Sequence, residues 1–186
     1  MMRVNEIFYS LQGEGFHTGT PAVFVRLSGC NRRCPFCDTS HESHTEMSEE
    51  DITSAVAVFG APIAVITGGE PAMQLTSSLV DRLHALGMKV HVETNGSLPL
   101  PDNVDWVTCS PKGAPYGIRR IDELKIVYQG RDPEVIAAQL PHPHVWSLQP
   151  LAAKDGSANV AATVDYIKRH PRWRLSLQTH KLINIP

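Results

Sequence analysis

The 186-residue sequence has no long apolar run, no marked excess of either charge and only four cysteines. Each shortage closes off a class of protein. The longest apolar runs, such as APIAVI (61–66), fall far short of the ~20 residues needed to cross a bilayer. The opening MMRVNEIFYS lacks the apolar stretch of a secretory signal, which places the chain in the cytoplasm and away from membranes. A formal charge of −2, with nine histidines beside it, offers neither a polybasic face for nucleic acid nor an acidic tail. No repeat, linker or low-complexity segment is visible, so a single domain over residues 1–186 is expected. Apolar residues make up 42 %, enough for a real core.

What is present is a regular alternation. Apolar, β-branched runs at 22–29, 62–69, 89–96, 104–110, 123–129, 144–150 and 173–179 read as strands. Helical patterns lie between some of them. Ser48 and Asp51 form a capping-box pair opening 49–59. Leu75, Leu79, Leu83 and Leu86 share one helical face, closed by Gly87. Asp132 and Pro133 open 134–140, and Val160, Val164 and Ile167 mark a last helix before Pro171. Alternating βα units predict a largely parallel sheet with helices outside. A full (β/α)₈ barrel takes ~250 residues, so the expectation is a partial (β/α)₆-type barrel with trimmed crossover helices. Polar and glycine residues gather just past six strand ends: SGC, TGGEP, ETNG, SPKG, LQPL and QTHK. Sites in parallel α/β folds form at strand C-termini.

Three of the four cysteines, Cys30, Cys34 and Cys37, occupy one short loop, SGCNRRCPFCDTS. In a reducing compartment such a cluster points to a metal or to catalysis. Zinc would need a fourth ligand, for which His41 or His44 is available. Simple burial as small hydrophobes suits a segment with Pro35 and two arginines poorly. An iron–sulfur cluster with three protein ligands, leaving one iron open to a non-protein ligand, fits best. Cys109, at the end of a β-branched run, reads as a buried strand residue.

The Cys-x₃-Cys-x₂-Cys loop, with Phe36 before its last cysteine, resembles the cluster loop of radical S-adenosylmethionine (SAM) enzymes. GGEP (68–71) resembles the turn of that superfamily that holds the SAM amino group. Along nearly the whole chain the sequence is further similar to the 7-carboxy-7-deazaguanine synthases of queuosine biosynthesis. The similarity rests on FYSLQGEGFHTGTPAVFVRLSGCN, CDT, ITGGEP, ETNG, SPK, LQP and LSLQTHK. That resemblance implies a lyase that turns 6-carboxy-5,6,7,8-tetrahydropterin into 7-carboxy-7-deazaguanine plus ammonia. It works by hydrogen abstraction at C6, ring contraction and return of a hydrogen. The implied cofactors are a [4Fe–4S] cluster, SAM and Mg²⁺; the implied partners are an electron donor such as flavodoxin and a second copy of the chain in a homodimer.

The resemblance also assigns roles. Cys30, Cys34 and Cys37 hold the cluster that generates the radical, and Thr39 is the Mg²⁺ position. Phe36, Asp38, Gly68, Gly69, Glu70, Asn95, Ser110, Lys112 and Gln149 fall to SAM, with Glu70 accepting from its ammonium. Gln12, Gly13, Glu14, Arg26, Thr67, His180 and Pro186 fall to the substrate. Gln12 and Glu14 offer the paired polar edges a pterin needs, and Arg26 suits its carboxylate. In some members the terminal carboxylate folds into the pocket, and Leu182, Ile183 and Ile185 are expected to pack the tail down. SPKGAPYGIRR departs from the family's helix after the fourth strand, and 38–48 is short and His-rich. Two other functions compete: a glycyl-radical-enzyme activating protein, and a non-catalytic zinc module built on the three cysteines and His41. LQGEG and QTHK speak against the first; GGEP has no purpose in the second.

Overall fold

Side-chain alternation along the strands builds the architecture: one parity is apolar and packs under the helices, and the other carries the polar groups of the concave face. The computed structural model describes residues 1–37, 43–151 and 158–186. Strands β1 (Met2–Leu11) and β2 (Pro21–Leu27) are antiparallel, and β3 (Thr45–Met47) pairs antiparallel with β1 at the edge. From β2 onward the sheet is parallel through β4 (Ile63–Gly68), β5 (Lys89–Thr94), β6 (Trp106–Cys109), β7 (Glu123–Tyr128), β8 (Val145–Pro150) and β9 (Trp173–Leu175). The order β3-β1-β2-β4-β5-β6-β7-β8-β9 does not close, so the sheet is the partial barrel expected, with a hairpin at one edge.

Helices α1 (Glu49–Ala57), α2 (Ser77–Ala85), α3 (Glu134–Ala137) and α4 (Ala158–Arg169) follow β3, β4, β7 and β8. Val23, Val25 and Leu27 of β2, Ala64 and Ile66 of β4, Val90 and Val92 of β5 and Leu124 and Ile126 of β7 pack with Ile52 and Val56 of α1 and Leu79, Val80 and Leu83 of α2. The opposite, concave face carries Ala22, Phe24, Ile63 and Val65, with Phe8 packed against them. Further along, it carries polar groups in register, such as Arg26 beside Thr67 and Lys125 beside Ser147.

Several local expectations hold to the atom. The capping box forms: Asp51 N donates to Ser48 Oγ (3.1 Å) and Ser48 N to Asp51 Oδ2 (2.9 Å). Asp132 Oδ1 accepts from Glu134 N at 3.1 Å, although α3 stops at Ala137. There Gln139 and Leu140 bond three residues back, a tighter turn ahead of Pro141. Leu86 lies beyond α2 and is 42 % exposed, leaving Leu75, Leu79 and Leu83 as the buried set. On α4 the buried pair is Thr163 and Tyr166 rather than Val160 and Val164; the Thr163 hydroxyl donates to Asn159 O (2.7 Å), which lets a polar residue pack there. The strand expected over 173–179 ends at Leu175. Beyond it, Ser176 turns inward to Gln149, and the chain forms α5 (Thr179–Ile183).

Helix α5 and the residues after it lie against the end of β1. Thr179 donates to Gly13 O through N (2.9 Å) and Oγ1 (2.8 Å), and Ser10 Oγ donates to Pro186 O (2.9 Å). The C-terminal segment thereby reaches the hairpin at the far edge of the open sheet. Because Leu124 is fully buried, Leu124→Ala should cost about 2–5 kcal/mol. In urea unfolding this appears as a lower midpoint with an unchanged slope.

Candidate functional site

Two glycines set the position of the cysteine loop. A Cβ on Gly68 would sit 2.0 Å from Leu27 O, and one on Gly69 2.0 Å from Gly29 O. Gly68 also has φ of +117°, a conformation glycine adopts without strain. This closeness allows Gly69 N to donate to Leu27 O (3.0 Å) and Glu70 N to Gly29 O (2.9 Å). The turn after β4 is thus clipped to the root of the loop that carries the cysteines. Within that loop Cys37 N donates to Cys34 O (3.1 Å), and the Arg32 guanidinium grips Gly113 O (2.9 Å), Pro115 O (3.3 Å) and Ala114 O (3.4 Å). The cysteine loop is therefore tied both to the turn after β4 and to the segment after β6.

Cys30, Cys34 and Cys37 line one cavity of about 830 Å³ together with Phe36, Gly68, Gly69, Asn95, Ser110, Lys112 and Gln149. None of the four cysteines forms a disulfide. Cys109 is a buried strand residue, as expected, and burial pushes its thiol up to about 12. Burial also raises Cys30, while the Arg32 N–H (3.4 Å from its sulfur) works the other way. Lys112 Nζ donates to Ser110 Oγ (2.8 Å) and stands 5.4 Å over the Phe36 ring. Burial, reinforced by the charge of Lys125, holds Lys112 below the usual lysine range. Asn95 is buried; its amide donates to Asn31 Oδ1 (3.0 Å) and accepts from Ser97 N (2.9 Å). Gln149 accepts from the Ser176 hydroxyl (2.9 Å).

Glu70 is fully buried and stays out of the cavity lining. Its oxygens accept from the Thr94 hydroxyl (2.7 Å), Asn95 N (2.7 Å) and Ala72 N (3.0 Å), a staple joining the turn to the end of β5.

A second cavity of about 620 Å³ is lined by Gln12, Gly13, Glu14, Arg26, Thr67, His180 and Pro186, the complete set expected for substrate. Gly13 is required by close approach, since a Cβ there would overlap the His180 ring. Arg26 lines this cavity but is already paired with Glu6 at 2.7 Å. Tail packing is a correction for two of its three residues: Leu182 and Ile183 are 73 % and 59 % exposed, Ile185 is half-buried, and the segment is held by hydrogen bonds.

The two cavities share Glu14, Thr67, Glu93, Gln178 and Lys181. At this junction Lys125, its side chain only 5 % exposed, bonds Glu14 (2.6 Å) and Glu93 (2.9 Å). Gln178 donates to the other Glu14 oxygen (2.7 Å) and Gln12 to the other Glu93 oxygen (3.3 Å). Glu93, Lys125 and Gln178 are absent from the sequence-based site. Glu93 and Lys125 each sit on the polar-inward parity of a strand, a signal that was present. Asp38, Thr39 and His41 lie outside the described residues.

The donor set fits the groups that the resemblance implies. Three thiols face one cavity, and beside them the Gly68–Gly69 backbone comes close with no side chain between. Among the described residues no three His, Cys, Asp or Glu side chains are grouped to hold a single metal ion.

The family model for the radical SAM superfamily matches residues 24–125, from β2 into β7, and so takes in both the cysteine loop and the GGEP turn. Over its full length the chain is 54 % identical to a 7-carboxy-7-deazaguanine synthase of Bacteroides thetaiotaomicron, covering 99 % of that protein. It is 39 % identical to a protein of the same name from Bradyrhizobium diazoefficiens, with 98 % of each chain covered. Among solved structures, QueE from Escherichia coli superposes with a TM-score of 0.82 at 32 % identity, over 96 % of this chain and 94 % of that one.

The geometry predicts a sharp split in thiol reactivity. In protein stripped of iron, iodoacetamide at about pH 8 should alkylate Cys30, Cys34 and Cys37 and spare Cys109 until denaturant is added. Peptide mass mapping reads the pattern.

Proposed function

Since this chain belongs to the 7-carboxy-7-deazaguanine synthases of the radical SAM superfamily, we propose that it acts as a single radical SAM domain converting 6-carboxy-5,6,7,8-tetrahydropterin into 7-carboxy-7-deazaguanine and ammonia. It is a lyase of the queuosine pathway. Superfamily membership carries with it a [4Fe–4S] cluster and SAM, which when bound supply a 5′-deoxyadenosyl radical for hydrogen abstraction. The observation that carries the reading is the pair of joined cavities. One is walled by three cysteines and the two glycines of the GGEP turn, and the other holds every residue expected to meet the pterin.

In this reading the chain binds, orients and excludes water. Cys30, Cys34 and Cys37 hold the cluster. The backbone of Gly68 and Gly69, with Phe36, Asn95, Ser110, Lys112 and Gln149 lining the same cavity, receives SAM; Asp38 and Glu70 are assigned to it by family membership. Gln12 and Glu14 take the donor edge of the pterin. Arg26 exchanges its exposed partner Glu6 for the substrate carboxylate; a half-exposed pair of this kind is worth ~1 kcal/mol or less, so the exchange is cheap. Thr67, His180 and Pro186 complete the wall. The Thr39 hydroxyl would be the chain's ligand to Mg²⁺, a hard cation that takes oxygen donors and needs few protein ligands. The one-electron donor is a flavodoxin-type protein, and the enzyme works as a cytoplasmic homodimer. No helix among the described residues is long and apolar enough to cross a membrane, in keeping with that setting.

Anaerobic incubation of reconstituted protein with SAM, a reductant, Mg²⁺ and the carboxylated tetrahydropterin tests the reaction, with the deazaguanine product read by mass spectrometry. Cys34→Ala should lose both the cluster absorbance and turnover. Thr39→Ala should keep the cluster and blunt the response to Mg²⁺. Residues added beyond Pro186 should raise KM; equal values with and without the extension would remove Pro186 from the substrate wall.

A further inference from the structure

The junction of the two cavities is where the reacting part of a substrate lying in the second cavity meets the cofactor side. Five residues face both cavities, and of these only Glu14, Glu93 and Lys181 titrate. We propose that Glu93 carries a proton in the ammonia-releasing half of the reaction, taking it from a substrate carbon and delivering it to the departing nitrogen, with Lys125 as the residue that positions it. This assignment rests on the reaction proposed above.

The stoichiometry asks for one such group. Conversion of the carboxylated tetrahydropterin into the deazaguanine removes the elements of NH₃. Once the ring has contracted, a C–H and a C–N bond break and a C=C bond forms. The C–H electron pair becomes the π bond, the C–N pair leaves on nitrogen, and nitrogen takes up a proton to depart as ammonia. One proton is released and one is consumed. A single carboxylate that passes it across ends as it began, and no oxidant, reductant or outside acid is required.

Geometry selects Glu93 among the candidates. Glu14 has one oxygen on Lys125 and the other on Gln178, and although burial opposes them, these partners and the charge of His180 hold it below the usual carboxylate range. Lys181 is an exposed residue. His180 faces only the second cavity and Lys112 only the first. Glu93 has one oxygen on Lys125 (2.9 Å), while among the described residues the other holds the long 3.3 Å contact from Gln12, the most readily yielded bond of the cluster. Burial makes Glu93 more basic than an ordinary glutamate; Lys125 offsets part of this, and the charges of Glu14 and Glu123 add to the rise. Lys125 itself stays an ammonium, because its two carboxylates outweigh the effect of burial. It fixes the Glu93 carboxylate without competing for the transferred proton.

Glu93→Gln keeps the volume and removes the proton carrier. Three readouts on the reconstituted holoenzyme separate the roles: substrate dissociation constant by calorimetry, transfer of deuterium from the substrate C6 position into SAM or deoxyadenosine, and ammonia release. The expected result is binding within about threefold of wild type, deuterium transfer retained, and ammonia release down by ~10²-fold or more. Lys125→Met should slow ammonia release in the same selective way, and Lys125→Arg should restore part of it. Ammonia release at the wild-type rate in Glu93→Gln would overturn the proposal. So would an equal loss of deuterium transfer and ammonia release, which is what a merely structural glutamate would give. Absence of deuterium transfer in the wild-type enzyme would instead overturn the reaction itself, and this assignment with it.

Discussion

A lysine ammonium buried between two carboxylates holds the interior of this barrel together. Stripping an ammonium of water costs several kcal/mol, and only close opposite charges recover it. Lys125 finds them on two different elements: Glu93 on the neighbouring part of the sheet and Glu14 on the loop that follows β1. The 12–14 loop is therefore drawn into the barrel mouth by charge rather than by apolar packing. Gln178 takes the remaining Glu14 oxygen at 2.7 Å, while Gln12 reaches the remaining Glu93 oxygen only at 3.3 Å. The same contacts that satisfy the lysine create the boundary at which the two cavities meet.

Around this centre the backbone supplies distances that side chains do not. The Gly68–Gly69 turn lies against the exit of β2, so the cysteine loop and the turn after β4 share hydrogen bonds, and Glu70 continues the chain of contacts to Thr94 and Asn95 on β5. Three successive strand exits are locked to one another before any ligand arrives. Such preorganisation suits chemistry in which a reactive species must meet one hydrogen and no water.

Much of this was legible beforehand, for identifiable reasons. The parallel strands were readable because buried parallel strands are nearly continuous apolar runs, and the capping box and the cysteine spacing are local signals. Strand β1 escaped because its alternation is broken by a register shift between Val4 and Glu6, which puts the next apolar residues on the wrong parity. The strand expected over 173–179 stops at Leu175, because Ser176 turns the chain by contacts with Gln149 and Gly15 that lie far off in sequence, and α5 begins at Thr179. The GGEP glutamate was recognisable as a motif, but its direction is decided by Thr94 and Asn95. Lys125 shares with Glu123 the polar parity of the run ELKIVY, which marks it as facing away from Leu124 and Ile126, but its partners Glu93 and Glu14 lie far off in sequence.

The hydroxyl of Ser10 meets Pro186 across 176 positions of sequence, so the wall of the second cavity is completed by a contact of very high sequence separation. Among the described residues the first cavity draws on nothing beyond Lys181, so fraying of that last contact opens the second cavity and leaves the first unchanged.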